Sequence, residues 1–358
     1  MKILFDGLPI TGQSLAIVSE HLLEGWLEHA PEDELHLAVG PNAELTVPDG
    51  VIVHQVPFGR SQTISRIHRQ NTVLPRLARE IGADALLATL PTTAIVKMPC
   101  PKFLIAYDLR HELRPEQFSR MNRIQRRFSY RWEQAAAIGC ISDRTRKDLL
   151  ASRPHLADRP VVLAYLGGDH VDGWPRPHVP GDYALAFGQY GNKNVDLVID
   201  AWGELEKRGN TRPLRIVGLG GSVRPQVEQK IADLGLTDRV TAMHWLPDDE
   251  FRKVFAGAGM VVFPSDFEGF GMPAVEAMRM DIPVVITPEP ALVEVTAGHA
   301  EVMDGWDAPA LADAVQRCEA WGPERVVEAR AHAADFTWAH TASVMRELMV
   351  AELAGAPR

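Results

Sequence analysis

The stretch Val261–Ile286, VVFPSDFEGFGMPAVEAMRMDIPVVI, reads as strand, loop, helix and strand in succession. VVF is a short apolar run ending at Pro264, the pattern of a strand covered on both faces. The glycine-containing loop EGFG follows at 268–271. A helix begins near Met272 or Pro273, where proline fits because its missing N–H would have no intrahelical acceptor. PVVI then returns as a second strand, so the unit belongs to a parallel sheet. The bare amides and positive dipole end of a helix start favour an anion beside the loop. Gly269 and Gly271 allow the backbone to approach that anion closely. Glu268 and Glu276 frame the same place. Carboxylates repel phosphate but accept hydrogen bonds from hydroxyls, so the pair reads as hydroxyl acceptors flanking an anion site. By composition alone the stretch reads equally well as an ordinary turn with an exposed glutamate and a helical one.

The same alternation extends outward. Before it, strands are expected at 2–6, 35–39, 51–56, 85–89, 103–106 and 137–141, with helices at 14–29, 66–81, 120–134 and 143–151. The second half repeats the pattern, with strands at 183–187, 214–217, 240–244, 260–263 and 284–287. Helices there fit 194–207, 223–234, 248–256, 273–279, 307–321 and 338–354. The run DHVDGWPRPHVPG at 170–182 has neither helical nor strand period and reads as a linker. The expected class is α/β, with two Rossmann-like doubly wound parallel-sheet domains facing a central cleft. The expected boundaries are 1–172, 173–337 and a final helix at 338–358.

Bulk composition agrees with two domains. The chain has 358 residues, 46% hydrophobic and 23% charged, enough apolar material for two cores. No apolar run is long enough for a membrane span, and the start lacks a signal-peptide pattern. Cys100, Cys140 and Cys318 stand far apart without a CxxC pair, which indicates neither a zinc site nor a disulfide framework and fits a cytoplasmic setting. Residues 1–166 hold 20 Lys and Arg against 18 Asp and Glu, whereas the remainder holds 17 against 29. Within 60–131 the count is 14 basic to 5 acidic, which suggests either an anionic partner or a solvated helical face.

The PS–EGFG–EAM–PVV succession, with two glutamates separated by seven residues, resembles the signature of glycosyltransferase family 4, a retaining family of GT-B fold. The resemblance implies that Glu268 sits by donor-sugar hydroxyls and Glu276 by ribose hydroxyls. It implies that Gly269, Phe270, Gly271 and Met272 offer main-chain groups to the sugar and diphosphate. Asp281 stands where the family usually has glycine. ALAFGQYGNKNVDLVIDAW at 184–202 is similar to the family's strand, glycine turn at Gly188 and helix start, where Lys193 neutralises the diphosphate. The family commonly adds an arginine here, but Gln189 and Asn192 occupy the nearby positions. LRIVGLGG at 214–221 supplies a second turn at Gly218, and main-chain groups near Trp245 and Leu246 would meet the base. Glu294, in PALVEV, is expected to be structural. In the first domain Gly12 would approach the donor phosphates. AYDLRHELRPEQF at 106–118 puts Tyr107 at a position that commonly holds histidine, followed by Asp108, with His111 as a substitute. Ser142 is a helix cap. FTWAHTA at 336–342 resembles the start of a final helix that crosses back to the first domain.

The resemblance implies retention of anomeric configuration. No second carboxylate is placed as a nucleophile, so front-face displacement is expected, with Glu268, Lys193 and Asp108 as catalytic candidates and pre-aimed donors stabilising the departing diphosphate. No metal-ligand cluster or DxD pair stands after a strand, so metal independence is expected, with no cofactor beyond the nucleotide-diphosphate sugar as co-substrate. The acceptor would be a hydroxyl on a glycan, a lipid-linked sugar or a small molecule; nucleic acid is not expected. ISRIHRQNTVLPRLAR at 64–79 is basic and amphipathic, suited to the inner face of an anionic membrane or to an ordinary surface helix, with Pro75 expected to interrupt it. Competing readings are a non-catalytic nucleotide-sugar-binding subunit, motivated by Tyr107, Gln189 and Asn192, and a GT-B-fold sugar-nucleotide epimerase. A dinucleotide-dependent dehydrogenase lacks its full GxGxxG after the first strand.

Overall fold

The computed structural model describes residues 1–10, 13–177, 181–189 and 191–355 and, among these, all side chains but those of 13, 14, 125, 127 and 128. Along the chain run β1 (Lys2–Gly7), α1 (Gln13–His29), β2 (Glu34–Val39), β3 (Val51–Gln55), α2 (Gln62–Ile81), β4 (Ala85–Ala88), β5 (Lys102–Ala106), α3 (Arg110–Leu113), α4 (Arg120–Ser129), β6 (Ala137–Cys140), α5 (Asp143–Ser152) and β7 (Val161–Leu163). There follow β8 (Ala184–Phe187), α6 (Val195–Lys207), β9 (Leu214–Val217), α7 (Arg224–Asp233), β10 (Val240–Ala242), α8 (Asp248–Ala256), β11 (Met260–Phe263), α9 (Met272–Arg279), β12 (Val284–Ile286), α10 (Pro290–Thr296), β13 (Glu301–Val302), α11 (Ala308–Glu319), α12 (Pro323–Ala333) and α13 (Trp338–Gly355).

Two compact units result, Met1–Gly167 with Phe336–Arg358, and Gly168–Asp335. The first holds a seven-stranded sheet in the order β3-β2-β1-β4-β5-β6-β7, the second a six-stranded sheet in the order β10-β9-β8-β11-β12-β13. The strand pairs of both are parallel. Helices cover such sheets on both faces, and this is why the central strands are almost continuously apolar. In the second unit Val198, Ile199, Trp202 and Leu205 of α6 follow helical spacing and join Ile216, Val262 and the α11 residues Leu311 and Val315 in one core.

Several boundaries differ from the expectation. The chain changes unit at Gly167–Gly168, ahead of the 170–182 stretch. That stretch belongs to the second unit: Asp169–Gly173 is a 3-10 turn, and Asp172 Oδ2 accepts from Arg279 Nη2 at 2.7 Å. The expected helix at 120–134 stops at Ser129, and a separate 3-10 turn covers Trp132–Gln134. Pro75 does not interrupt α2. The helix runs from Ser61, which caps it, to Gly82 at φ 66, with Pro75 buried inside it beside Leu74, Leu77 and Ala78. The apolar face of the 64–79 segment is therefore spent in its own core, while Ile64 stays exposed. Among the described residues no helix is long and apolar enough to cross a membrane.

The final helix completes the first unit. α13 packs on α1 and β6. Gly25 and Gly167 lie so close to the Trp338 main chain that a Cβ at either would overlap it. Thr341 Oγ1 donates to Tyr165 O at 2.6 Å, and Arg346 Nε meets Asp33 Oδ2 at 2.7 Å.

Candidate functional site

β8 and β11 are neighbours at the point where the second sheet reverses its order, with β9 and β10 on one side and β12 and β13 on the other. In open parallel sheets, ligands collect outside the carboxyl ends of the strands at such a reversal. Two connections leave the sheet there, one over 188–194 and one over 264–271.

These connections are joined by polar contacts. Lys193 Nζ donates to Glu268 Oε1 at 2.6 Å and stands 4.2 Å from the centre of the Phe263 ring. Ser265 Oγ donates to the same oxygen at 2.5 Å, and Asn192 Nδ2 approaches it at 3.1 Å. The Lys193 and Glu268 side chains are only 12% and 14% exposed, which strengthens the pair relative to one in open solvent. Asn194 Nδ2 donates to Pro264 O at 2.8 Å. The Thr287 hydroxyl, just beyond β12, donates to Ser265 O and braces the loop from a third strand.

The helix start lies where the sequence places it. α9 begins at Met272, with Pro273 in its first turn and Gly271 before it at φ 102, ψ 48. That φ favours glycine, and a Cβ on Gly271 would also overlap Leu292. The first amides of a helix have no intrahelical acceptors, so this end carries partial positive charge next to Glu268. Asp281 explains its own departure from glycine. It sits at φ 62, a region that aspartate tolerates better than most side chains, and its carboxylate pairs with Arg330 at 3.0 Å and Arg176 at 3.2 Å.

Glu276 is buried, and His170 Nε2 lies 3.2 Å from its Oε1. His170 is held in turn by the Trp174 ring, which stacks edge-on with Phe251 and Phe255. The two glutamates are thus engaged by different segments, Glu268 by the β8–α6 connection and Glu276 by the 169–173 turn. Gly188 closes β8 against Leu219 with no room for a Cβ, and Gly218 turns at φ 75. Leu246 is buried, whereas Trp245 is half exposed. Glu294 is half-buried on α10.

Other candidates belong to the first unit. Asp108 follows β5, and its Oδ1 accepts from Arg110 N at 2.8 Å. The Tyr107 hydroxyl is buried with no hydrogen-bond partner among the described residues, and burial pushes its pKa up. His111 is a packed residue, 3.3 Å from Glu112 and edge-on to Tyr130. Gly12 lies outside the described residues. Ser142 caps α5, accepting from Thr145 N at 3.0 Å.

Sequence reasoning gave five polar groups no supporting role. Asn192, Asn194, Ser265 and Thr287 support the Lys193–Glu268 pair, and His170 supports Glu276. Asn194 was a usable signal, since asparagine accepts the left-handed turn that this helix entry needs, at φ 51. Asp6, fully buried at the end of β1, was missed as well. Burial pushes its pKa up to about 6, against the lowering effects of Gln70, Thr93, the Leu8 amide and Arg66. Among the described residues no group of three or more His, Cys, Asp or Glu is arranged to hold a metal ion.

Residues 181–320 match the family model described as Glycosyl transferases group 1. D-inositol 3-phosphate glycosyltransferase from Nocardia farcinica is 31% identical over 223 residues, 58% of this chain and 46% of that protein. The chain therefore spans about half the length of that curated relative. Sucrose-phosphate synthase from Thermosynechococcus elongatus superposes with a TM-score of 0.74 at 16% identity, over 99% of this chain and 100% of that one. HepE from Anabaena, solved in complex with UDP-glucose, superposes at 0.71 with 17% identity, over 98% and 100%. Two parallel-sheet α/β units and these likenesses show a GT-B glycosyltransferase fold, whose second unit carries the match to group 1 glycosyl transferases.

Proposed function

We propose that the chain is a retaining, metal-independent glycosyltransferase that moves a hexose-type sugar from a nucleotide-diphosphate sugar to a hydroxyl acceptor on a glycan, a lipid-linked sugar or a small molecule. The observation that carries this reading is the 2.6 Å Lys193–Glu268 pair beside the start of α9, at the reversal of the second sheet. An ammonium and a helix start suit a diphosphate, and the adjacent carboxylate suits a sugar hydroxyl. Glu276 would take the ribose hydroxyls, and main-chain groups of 269–272, 188 and 218 would line the donor, with those of Trp245 and Leu246 meeting the base.

In the proposed step the bond from the anomeric carbon to the phosphate oxygen breaks. The acceptor oxygen bonds to that carbon on the same face, and its proton passes to the departing phosphate. Negative charge gathers on the diphosphate, where Lys193 and the first amides of α9 stabilise it without reorganising. Asp108, on the first unit, is assigned to the acceptor side. No cofactor is used. A cytoplasmic setting, with peripheral contact to an anionic membrane through Ile64 and the arginines of α2, completes the reading.

A thermal-shift screen of UDP-glucose, UDP-galactose, UDP-N-acetylglucosamine and GDP-mannose tests it, with and without a chelator. One donor should stabilise the protein equally in both. Glu276→Ala should weaken that donor roughly tenfold or more, the loss of a charge-assisted hydrogen-bond acceptor. Lys193→Ala should lower turnover by about 10²–10³ with a smaller effect on the unfolding temperature. Unchanged donor affinity in Glu276→Ala would remove the assignment.

A further inference from the structure

Two connections carry the candidate groups, and neither has a ladder of its own to hold it. They leave the sheet side by side because β8 and β11 pair through Met260–Ala184 and Val262–Ala186. Their register beyond the sheet depends on side chains, and the residues on either side of Lys193 provide it. Asn192 is 3% exposed. Its Nδ2 lies 2.9 Å from Ser265 Oγ, 2.9 Å from Phe267 O and 3.1 Å from Glu268 Oε1, three acceptors for two N–H bonds. Its main-chain oxygen accepts from Asp266 N at 3.0 Å. Asn194 adopts φ 51, ψ 48 immediately before α6, and its side chain reaches Pro264 O.

Lys193 is therefore clamped between two asparagines that both reach into the 264–268 loop. Lys193, Ser265 and Asn192 all address Oε1 of Glu268, so Oε2 is used by none of the three. A carboxylate held by one oxygen presents the other in a fixed direction.

We propose that Asn192 and Asn194 are positioning residues for the transfer: they lock the β8–α6 connection onto the β11–α9 loop, so that the Lys193 ammonium and the Glu268 carboxylate engage the donor in one geometry. The proposal rests on the donor-site reading above. It assigns Asn192 a role other than a missing phosphate charge. Its consequence is kinetic, since misaligned groups still bind the donor but meet the departing diphosphate poorly.

The test uses the full chain and the nucleotide sugar selected by the thermal-shift screen. It measures release of nucleoside diphosphate, with KM and kcat separated. Asn192→Ala should lower kcat about 10–100-fold while KM for the donor changes less than about threefold. Asn194→Gly keeps a residue at ease in the left-handed turn and removes only the side-chain bond, so it should give a smaller loss of kcat with the fold intact. In a Glu268→Gln background the Asn192→Ala change should cost little more, because the group it aligns has already been altered. Wild-type kcat in both asparagine variants overturns the proposal, as does a full additional loss in the Glu268→Gln background. Should Asn192→Ala fail to fold, Asn194→Gly decides on the same criterion. Donor binding and turnover in wild type with unaffected variants removes the clamp alone; absence of donor binding in wild type removes the site reading as well.

Discussion

Glu268 and Lys193 read separately in the sequence as a hydroxyl acceptor and a phosphate partner, and in the folded chain each is the other's partner at 2.6 Å. A lysine near a helix start gains nothing from the dipole there. In the fold it meets the carboxylate across the connection, which lies 75 residues along the chain and so leaves no local trace. Asp6 makes the complementary point. It is a short acidic residue at the end of an apolar strand, and only its complete burial raises its pKa to about 6 from the ordinary 3.8. With the folded value raised, its contribution to stability is full below about pH 4 and is lost as the pH rises through 6. Between pH 5 and pH 8 this group alone should lower the stability by about 1–2 kcal/mol, and Asp6→Asn should flatten that step in urea unfolding. An identical step in the variant would assign the pH dependence elsewhere.

Elements were legible in proportion to their length and periodicity. α6 carries a clear apolar period, and the central strands β4, β8 and β11 are short unbroken apolar runs. β13 has two residues and β7 three, too few to show a period against their neighbours. In sequence Pro75 suggests a break, whereas α2 runs on through a proline buried in the core. What α1 packs against was also invisible locally. Gly25 is an ordinary helical glycine in sequence, yet it is where the Trp338 main chain crosses α1. Gly25→Ala should push α13 off α1 and cost about 1–3 kcal/mol, seen as a fall of several degrees in thermal unfolding. An unchanged midpoint would mean that the crossing gives way without strain.

On the scale of the whole chain, the first unit is assembled from both ends of the sequence. The amino terminus and Arg346 converge on the carboxylate of Asp33, at 2.6 and 2.7 Å. Burial raises the pKa of Asp33, but hydrogen bonds from Arg346, the terminal amine and Trp26 outweigh it and hold the group at about 2. With the folded value depressed, the stabilisation is present above the ordinary 3.8 and is lost as the pH falls through 2. Arg346→Met should cost about 2 kcal/mol near neutrality and move acid unfolding to higher pH, as followed by circular dichroism. Acid unfolding at the wild-type pH would show that the terminal amine suffices.

The chain read alone yielded the alternation of strands and helices, the two parallel sheets and the turn at Gly271, because apolar period, proline and glycine act on their near neighbours. Folding alone settled which polar side chains meet: Lys193 with Glu268, His170 with Glu276, Arg346 with Asp33. Hydrogen bonds and charge attraction depend on separation in space, and the connections that create that separation are set by how each sheet orders its strands.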